Sequence, residues 1–360
     1  MKKILFLIFI LPLFCACDHS QKYAEQYEEC AKLYDEKKYD EAVKLLKQYV
    51  DEGNPLAKRL LGVCYEEGHE LEQNQKRANK LFEEAFTEIT TLAEKGNPFV
   101  LLNEGHCYYY GQGVERNQEK AVECYTKSAN QGNAEAQYKL GLCYELGNGV
   151  EQNDAESEKW YRKSAEQGNA ISQFHLAVCY ANGRGVEKNL AKAVEWYLKS
   201  AGQGIAEAQF NLALCYANGS GVEPDFEKAI EWVTKSAEQG HARAQYLLGN
   251  SYYYGYYVEQ NYQKAIEWLL KSAEQDDDEA QHFLGICYTA GKGVEQDFNK
   301  AFEWHRKSAE LGNKNAQCSL GVCYLIGQGV EKNVEKAYEW FLKSAEQGNP
   351  DAIDILNRNF

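Results

Sequence analysis

Apolar and small residues follow a helical rhythm over most of the chain. Ala136, Leu140, Cys143, Tyr144 and Gly147 fall on one side at helical spacing and span an arc of roughly 100°. Ala229, Trp232, Val233, Ser236 and Ala237 follow i, i+3, i+4, i+7, i+8 on a second kind of segment. A longer period is laid over this one. "LGLCYELGNGVEQN" at Leu140 returns every 36 residues, as "LAVCYANGRGVEKN" at Leu176 and "LALCYANGSGVEPD" at Leu212. "LGNSYYYGYYVEQN" at Leu248, "LGICYTAGKGVEQD" at Leu284 and "LGVCYLIGQGVEKN" at Leu320 continue the series, and "EGHCYYYGQGVERN" at Glu104 precedes it. Each copy is followed by a second block such as "AVEWYLKSAGQG". The pattern predicts pairs of antiparallel helices. Gly147 suits a left-handed helix stop, and Val150 offers an apolar plug in the turn. Asn153, Asn189, Asp225, Asn261, Asp297 and Asn333 stand where an N-cap is needed.

Seven such units fill residues 97–348. A longer, divergent unit occupies 54–96, where Cys107 follows Cys64 by 43 residues. Residues 23–53 read as a bare helical hairpin that caps the array, and 349–360 as a half-unit capping helix. One hairpin cannot bury both apolar stripes alone, so stacking on neighbours must supply the stability. In the unit at 241–276, Ser251 replaces the Cys, Tyr257 the second Gly and Asp276 the closing Gly. This reads equally as a local kink or as drift.

The matching residues Ala136, Leu140, Gly141, Tyr144, Gly147, Gly149, Val150, the pair Lys192-Ala193 and the Lys-Ser-Ala block ending in Gly resemble the Sel1-like repeat family, relatives of the tetratricopeptide repeats. The resemblance covers residues 54–348, and the 23–53 hairpin looks more like a tetratricopeptide unit. It implies an all-α fold, a right-handed α-superhelical solenoid of stacked helix–turn–helix repeats. The role it implies is protein–protein interaction, as an adaptor in secretion, signalling or envelope assembly.

The first residues, "MKKILFLIFILPLFCACDHS", place Lys2 and Lys3 before an apolar run of eleven from Ile4 to Phe14. That run is too short to span a bilayer and reads as a secretory signal. "FCAC" resembles a bacterial lipobox, with Phe14 departing from the usual Leu, Val or Ile. The resemblance implies a signal peptide at 1–16, a lipid-modified Cys17 and a short tether at 17–22. A plain cleaved signal or an uncleaved anchor are the other readings. The expected location is the cell envelope, membrane-anchored through the lipid and periplasmic or surface-exposed.

Charge and chemistry narrow the function. There are 54 Asp+Glu against 39 Lys+Arg, a net charge of −15, which argues against nucleic acid as the main partner. The G-x-G turns follow a helix rather than a strand, so they do not read as phosphate cradles. Cys64, Cys107, Cys143, Cys179, Cys215, Cys287 and Cys323 occupy one repeat position. Stacked equivalents lie roughly 9–10 Å apart, a helix-packing distance, beyond the about 7 Å a disulfide allows. They read as small buried hydrophobes. Cys107 and Cys124 face each other across one hairpin and form the one candidate bridge. Neither a metal-ligand cluster, a cofactor motif nor a catalytic motif is recognisable, and no small-molecule substrate is evident. The expectation is a non-enzymatic scaffold that binds a protein or peptide. The alternatives are a cell-wall or carbohydrate-modifying enzyme-like module and a purely structural spacer.

In a tetratricopeptide-type superhelix the first helices line the concave face. The series Tyr138, Phe174, Phe210, Tyr246, His282, Cys318 reads either as packing between helices or as a peptide groove. Just beyond lie the most variable places of the repeat. There Asn182 and Asn218 have the chemistry to clamp a peptide backbone, and tyrosines gather. Tyr109, Tyr110, Asn182, Asn218, Tyr253 and Tyr254 are the predicted concave binding site.

Overall fold

Each 36-residue period becomes a hairpin of two helices, most of them 13 residues long. A computed structural model describes residues 19–359. It shows nineteen helices and no strand among the described residues, and the chain divides into two compact units between Asn169 and Ala170. The first unit holds α1 (Ser20–Asp35), α2 (Tyr39–Asp51), α3 (Pro55–Glu67), α4 (Gln75–Ala93), α5 (Pro98–Tyr110), α6 (Gln118–Asn130), α7 (Ala134–Leu146) and α8 (Asp154–Glu166). The second holds α9 (Ala170–Asn182), α10 (Leu190–Gly202), α11 (Ala206–Asn218), α12 (Phe226–Glu238), α13 (Ala242–Tyr254) and α14 (Tyr262–Ala273). It continues with α15 (Asp278–Ala290), α16 (Phe298–Glu310), α17 (Lys314–Ile326), α18 (Val334–Glu346) and α19 (Pro350–Asn359). Within each unit, successive helices pack in antiparallel pairs, an all-α repeat solenoid.

Two contacts close every regular hairpin. A small residue on the first helix lets a large one, 20 positions later, lie against its backbone. A Cβ on Gly141 would stand 2.7 Å from the Tyr161 ring, and one on Gly321 2.7 Å from Phe341. In α9 and α11 the small residue is buried Ala177 or Ala213. The second contact is a buried serine of the Lys-Ser-Ala block. Ser164 Oγ donates to the Ala134 carbonyl at 2.6 Å, and Ser128 does the same to Pro98. In the second unit Ser200, Ser236, Ser272, Ser308 and Ser344 repeat it at 2.6–2.8 Å. All seven serines are fully buried. Each bond is worth about 1 kcal/mol net, and more if its carbonyl is left unpaired.

Glutamines stitch hairpin to hairpin. Gln137 Nε2 on α7 donates back to the Ala129 carbonyl of α6 at 3.1 Å and accepts from Gln167 at 2.7 Å. Gln209 and Gln245 repeat both bonds in the second unit. The turn then explains its two glycines. Gly147, at φ 69°, ends α7, and its N–H reaches the Cys143 carbonyl. Gly149, at φ 69°, lies so close to α6 that a Cβ would collide with the Gln118 carbonyl. The expected caps form: Asn153, Asn189, Asp225, Asn261, Asp297 and Asn333 each accept from the backbone of the following helix.

Several expectations need correction. Residues 20–22, read as tether, form the first turn of α1, and Lys22 Nζ and Gln26 Nε2 of that helix both donate to Glu52, which caps the end of α2. The lipobox and Cys17 lie outside the described residues. The divergent repeat puts six of its extra residues into α4, 19 long against 13 in α6. The unit at 241–276 keeps its path: Tyr257 and Asp276 hold φ 59° and 60° without glycine. Cys107 and Cys124 are free thiols, and the Cys124 Sγ turns to Glu104 Oε2 at 3.5 Å. Cys64, Cys143 and Cys287 are buried as expected, and desolvation pushes each thiol up to about 12. Such thiols are poor nucleophiles at neutral pH.

Gly149→Ala should destabilise the first unit by more than about 2 kcal/mol, through the left-handed backbone and the collision together. Gly168→Ala, at φ 96° with no atom within 4 Å of its added Cβ, should cost only the backbone part, about 1 kcal/mol. Urea titration of the two variants measures the difference.

Candidate functional site

The last turn of each first helix separates two neighbouring places. The place of Tyr109, Glu145, Ala181, Ala217, Tyr253, Thr289 and Leu325 is at least half-buried throughout. The next place, held by Tyr110, Leu146, Asn182, Asn218, Tyr254, Ala290 and Ile326, is exposed in every hairpin. One step along a helix is a turn of about 100°. The first place therefore turns into the packing and the second clears it.

This splits the predicted site. Tyr253 is 6 % exposed and packs its ring against Phe283 at 4.9 Å and Tyr262 at 5.2 Å between ring centres. It is a core residue and not a ligand contact. Tyr109 is half-buried, and its hydroxyl accepts from Asn148 Nδ2 at 3.0 Å. Tyr110 and Tyr254 remain open to solvent, each held edge-on by the tyrosine before it. Tyr254 is 48 % exposed and stacks on Tyr256 at 5.3 Å. Asn182 and Asn218 are exposed, and among the described residues their amides bond to no protein group. Tyr110 belongs to the first unit; Asn182, Asn218 and Tyr254 belong to the second.

The aromatic series about two turns earlier is packing. Tyr138 lies 6.1 Å from Tyr161, Phe174 6.1 Å from Tyr197 and His282 5.1 Å from His305, centre to centre. Burial holds His282 and His305 well below the usual imidazole range, at about 4 and about 3, so the pair is neutral near pH 7. Among the described residues no three His, Cys, Asp or Glu come together as a metal ion would need.

Sequence reasoning missed one buried group. Arg59 occupies the repeat place of Tyr138 and is 4 % exposed. Its Nε donates to Asn103 at 2.9 Å and its Nη1 to Gln112 at 2.8 Å. A guanidinium where every other unit carries an apolar group, histidine or cysteine was the available signal.

Tyr253→Ala should cost about 3 kcal/mol or more, the loss of a buried ring. Tyr254→Ala and Asn218→Ala should each stay within about 0.5 kcal/mol, as exposed positions do. Thermal melts of the three variants check the assignment.

A family model for the Sel1 repeat matches residues 55–87, 105–133, 134–169, 170–205, 206–241, 242–277, 278–313 and 314–349. A Sel1 repeat protein from Oxalobacter formigenes is 32% identical, with 88% of this chain and 89% of that one covered and a TM-score of 0.61. A protective antigen present in uropathogenic Escherichia coli strains, displaying an SLR fold, is 33% identical. There 94% of this chain and 80% of that one are covered, with a TM-score of 0.55. A comparison with curated proteins returned no match. With the model repeated over most of its length and two such relatives above 30% identity, the chain belongs to the Sel1 repeat family.

Proposed function

We propose that the chain is a non-enzymatic scaffold of the bacterial cell envelope, attached to a membrane through lipid on Cys17, that holds a protein or peptide on the exposed last turns of its first helices. Sel1 repeats generally mediate protein–protein interaction, and solenoids of this family are typically non-catalytic. One observation carries the location of the site. On the last turn of the first helices, one repeat place is exposed in every hairpin and differs from hairpin to hairpin, while the place just before it is at least half-buried. In two successive hairpins it presents the unpaired amides of Asn182 and Asn218, each able to donate to and accept from a peptide bond. Next along stands the open ring of Tyr254, suited to a rigid, amphipathic contact.

The test is crosslinking in cells. A photoreactive residue at Leu146 or Tyr254 should trap one partner of constant mass, and the same residue at exposed Glu231 on the second helix should not. Asn182→Ala with Asn218→Ala should weaken the Tyr254 adduct at least tenfold. Cys17→Ser should release the chain from the membrane fraction. Equal adducts at Glu231, or none anywhere, would contradict the scaffold reading.

A further inference from the structure

The first unit contains a polar hollow that the repeat pattern does not require. Helix α1 lies across α3 and reaches α5. Beneath its C-terminal end is a cavity of about 370 Å³, within the usual range of ligand sites, about 300–1,000 Å³. A second cavity of about 790 Å³ shares the wall formed by Tyr27, Ala31, Asp35 and Glu135. Four carboxylates, Asp35, Glu66, Glu67 and Glu135, line the smaller cavity against two permanent cations, Arg59 and Lys139.

Most of these groups are already engaged. Arg59 spends its donors on Asn103, Gln112 and the Tyr27 hydroxyl. Glu67 accepts from the Tyr34 hydroxyl, and Glu66 accepts from Gln75 and Gln112. Lys139 Nζ lies over the Tyr138 ring, 5.3 Å from its centre. Three polar groups are left over. His106 is 5 % exposed, and its Nδ1 lies 3.3 Å from Arg59 Nη2. Arginine can only donate, so Nδ1 accepts and Nε2 carries the proton. That Nε2–H is buried with no hydrogen-bond partner. The nearest acceptor, Glu135 Oε1, is 3.7 Å away, too far for a direct bond. The carboxylates of Asp35 and Glu135 have no hydrogen-bonded partner among the described residues. Desolvation pushes both carboxyls above their ordinary range, against the pull of Lys139. Asp35 is exposed and solvent reaches 42 % of the Glu135 side chain, so both carboxylates are open to an approaching group and only the His106 donor is sealed.

An orphaned donor beside two unpaired acceptors describes what is missing: a cationic fork together with a carbonyl oxygen. We infer that this hollow receives one arginine or lysine side chain of a partner protein, its charged end between Asp35 and Glu135 and its peptide carbonyl on His106 Nε2–H. Arginine fits better, because its planar fork meets two carboxylates at once. The inference rests on the scaffold reading and adds the chemistry of the partner. The net acidity of the chain favours the approach of such a segment.

The test uses the full chain labelled with ¹³C at histidine, and the capped tripeptides acetyl-Gly-Arg-Gly-amide and acetyl-Gly-citrulline-Gly-amide, which differ chiefly in charge. The arginine peptide should shift the His106 signal, identified by its loss in His106→Gln, and bind at least tenfold more tightly than the citrulline peptide. Asp35→Asn with Glu135→Gln should remove that preference. Equal binding of the two peptides, an unmoved His106 signal at millimolar peptide, or free arginine binding as tightly as the capped peptide would overturn the proposal. The peptide comparison on the unaltered chain stands even if the double variant fails to fold. A partner still crosslinked in cells by that variant would sink this inference and leave the scaffold intact. Peptide binding without any cellular adduct would do the reverse.

Discussion

Everything in this molecule depends on how closely two short helices can approach within one hairpin. A 13-residue helix is marginal in water on its own, so its partner must hold it. The approach is set by a missing side chain on one helix and a ring or branched residue on the other, as at Gly141 and Tyr161. It is pinned by a serine hydroxyl on the first-turn carbonyl, as with Ser164 and Ala134. Both contacts recur at fixed offsets, which is why insertion is tolerated at the far end of α4 but not between these points. Turn glycines such as Gly149 extend the same logic, carrying one hairpin's loop onto the backbone of the hairpin before it.

The same constraint decides where variation is free. Positions that face a neighbour across the hairpin or the stack must keep size and polarity. Positions one step further round the last turn of the first helix stay exposed, and there tyrosine, leucine, asparagine, alanine and isoleucine alternate. The surface proposed for recognition is one whose sequence can change without loss of packing. The hollow of the first unit is a different case. It forms because the opening hairpin, lacking the glycine turns of the others, lays α1 over α3 and brings Asp35 beside groups from α3, α5 and α7.

Much of the fold was legible because the signals repeat. Caps such as Asn153, the stop at Gly147 and the burial of Cys143 follow from local chemistry and recur in register. The serine and glutamine bonds were not legible. Ser236 was recognised as inward-facing, but its partner, the Ala206 carbonyl, lies 30 residues away and on a backbone atom. The candidate site was half legible. Helical spacing alone placed Tyr253 and Tyr254 together, and only the position of Phe283 on the next hairpin shows that the first ring is buried and the second open. His106, Arg59 and Glu135 sit in three different repeats, and no short motif announces their meeting.

Native-state hydrogen exchange on Ser236→Ala tests the central claim most directly. If each hairpin is a unit locked by its own contacts and supported by its neighbours, protection should fall most in α11 and α12. The fall should be smaller in the hairpins on either side within the second unit, and α17 and α18 should be unchanged. An equal loss across all helices from α9 to α19, or no loss at all, would contradict it.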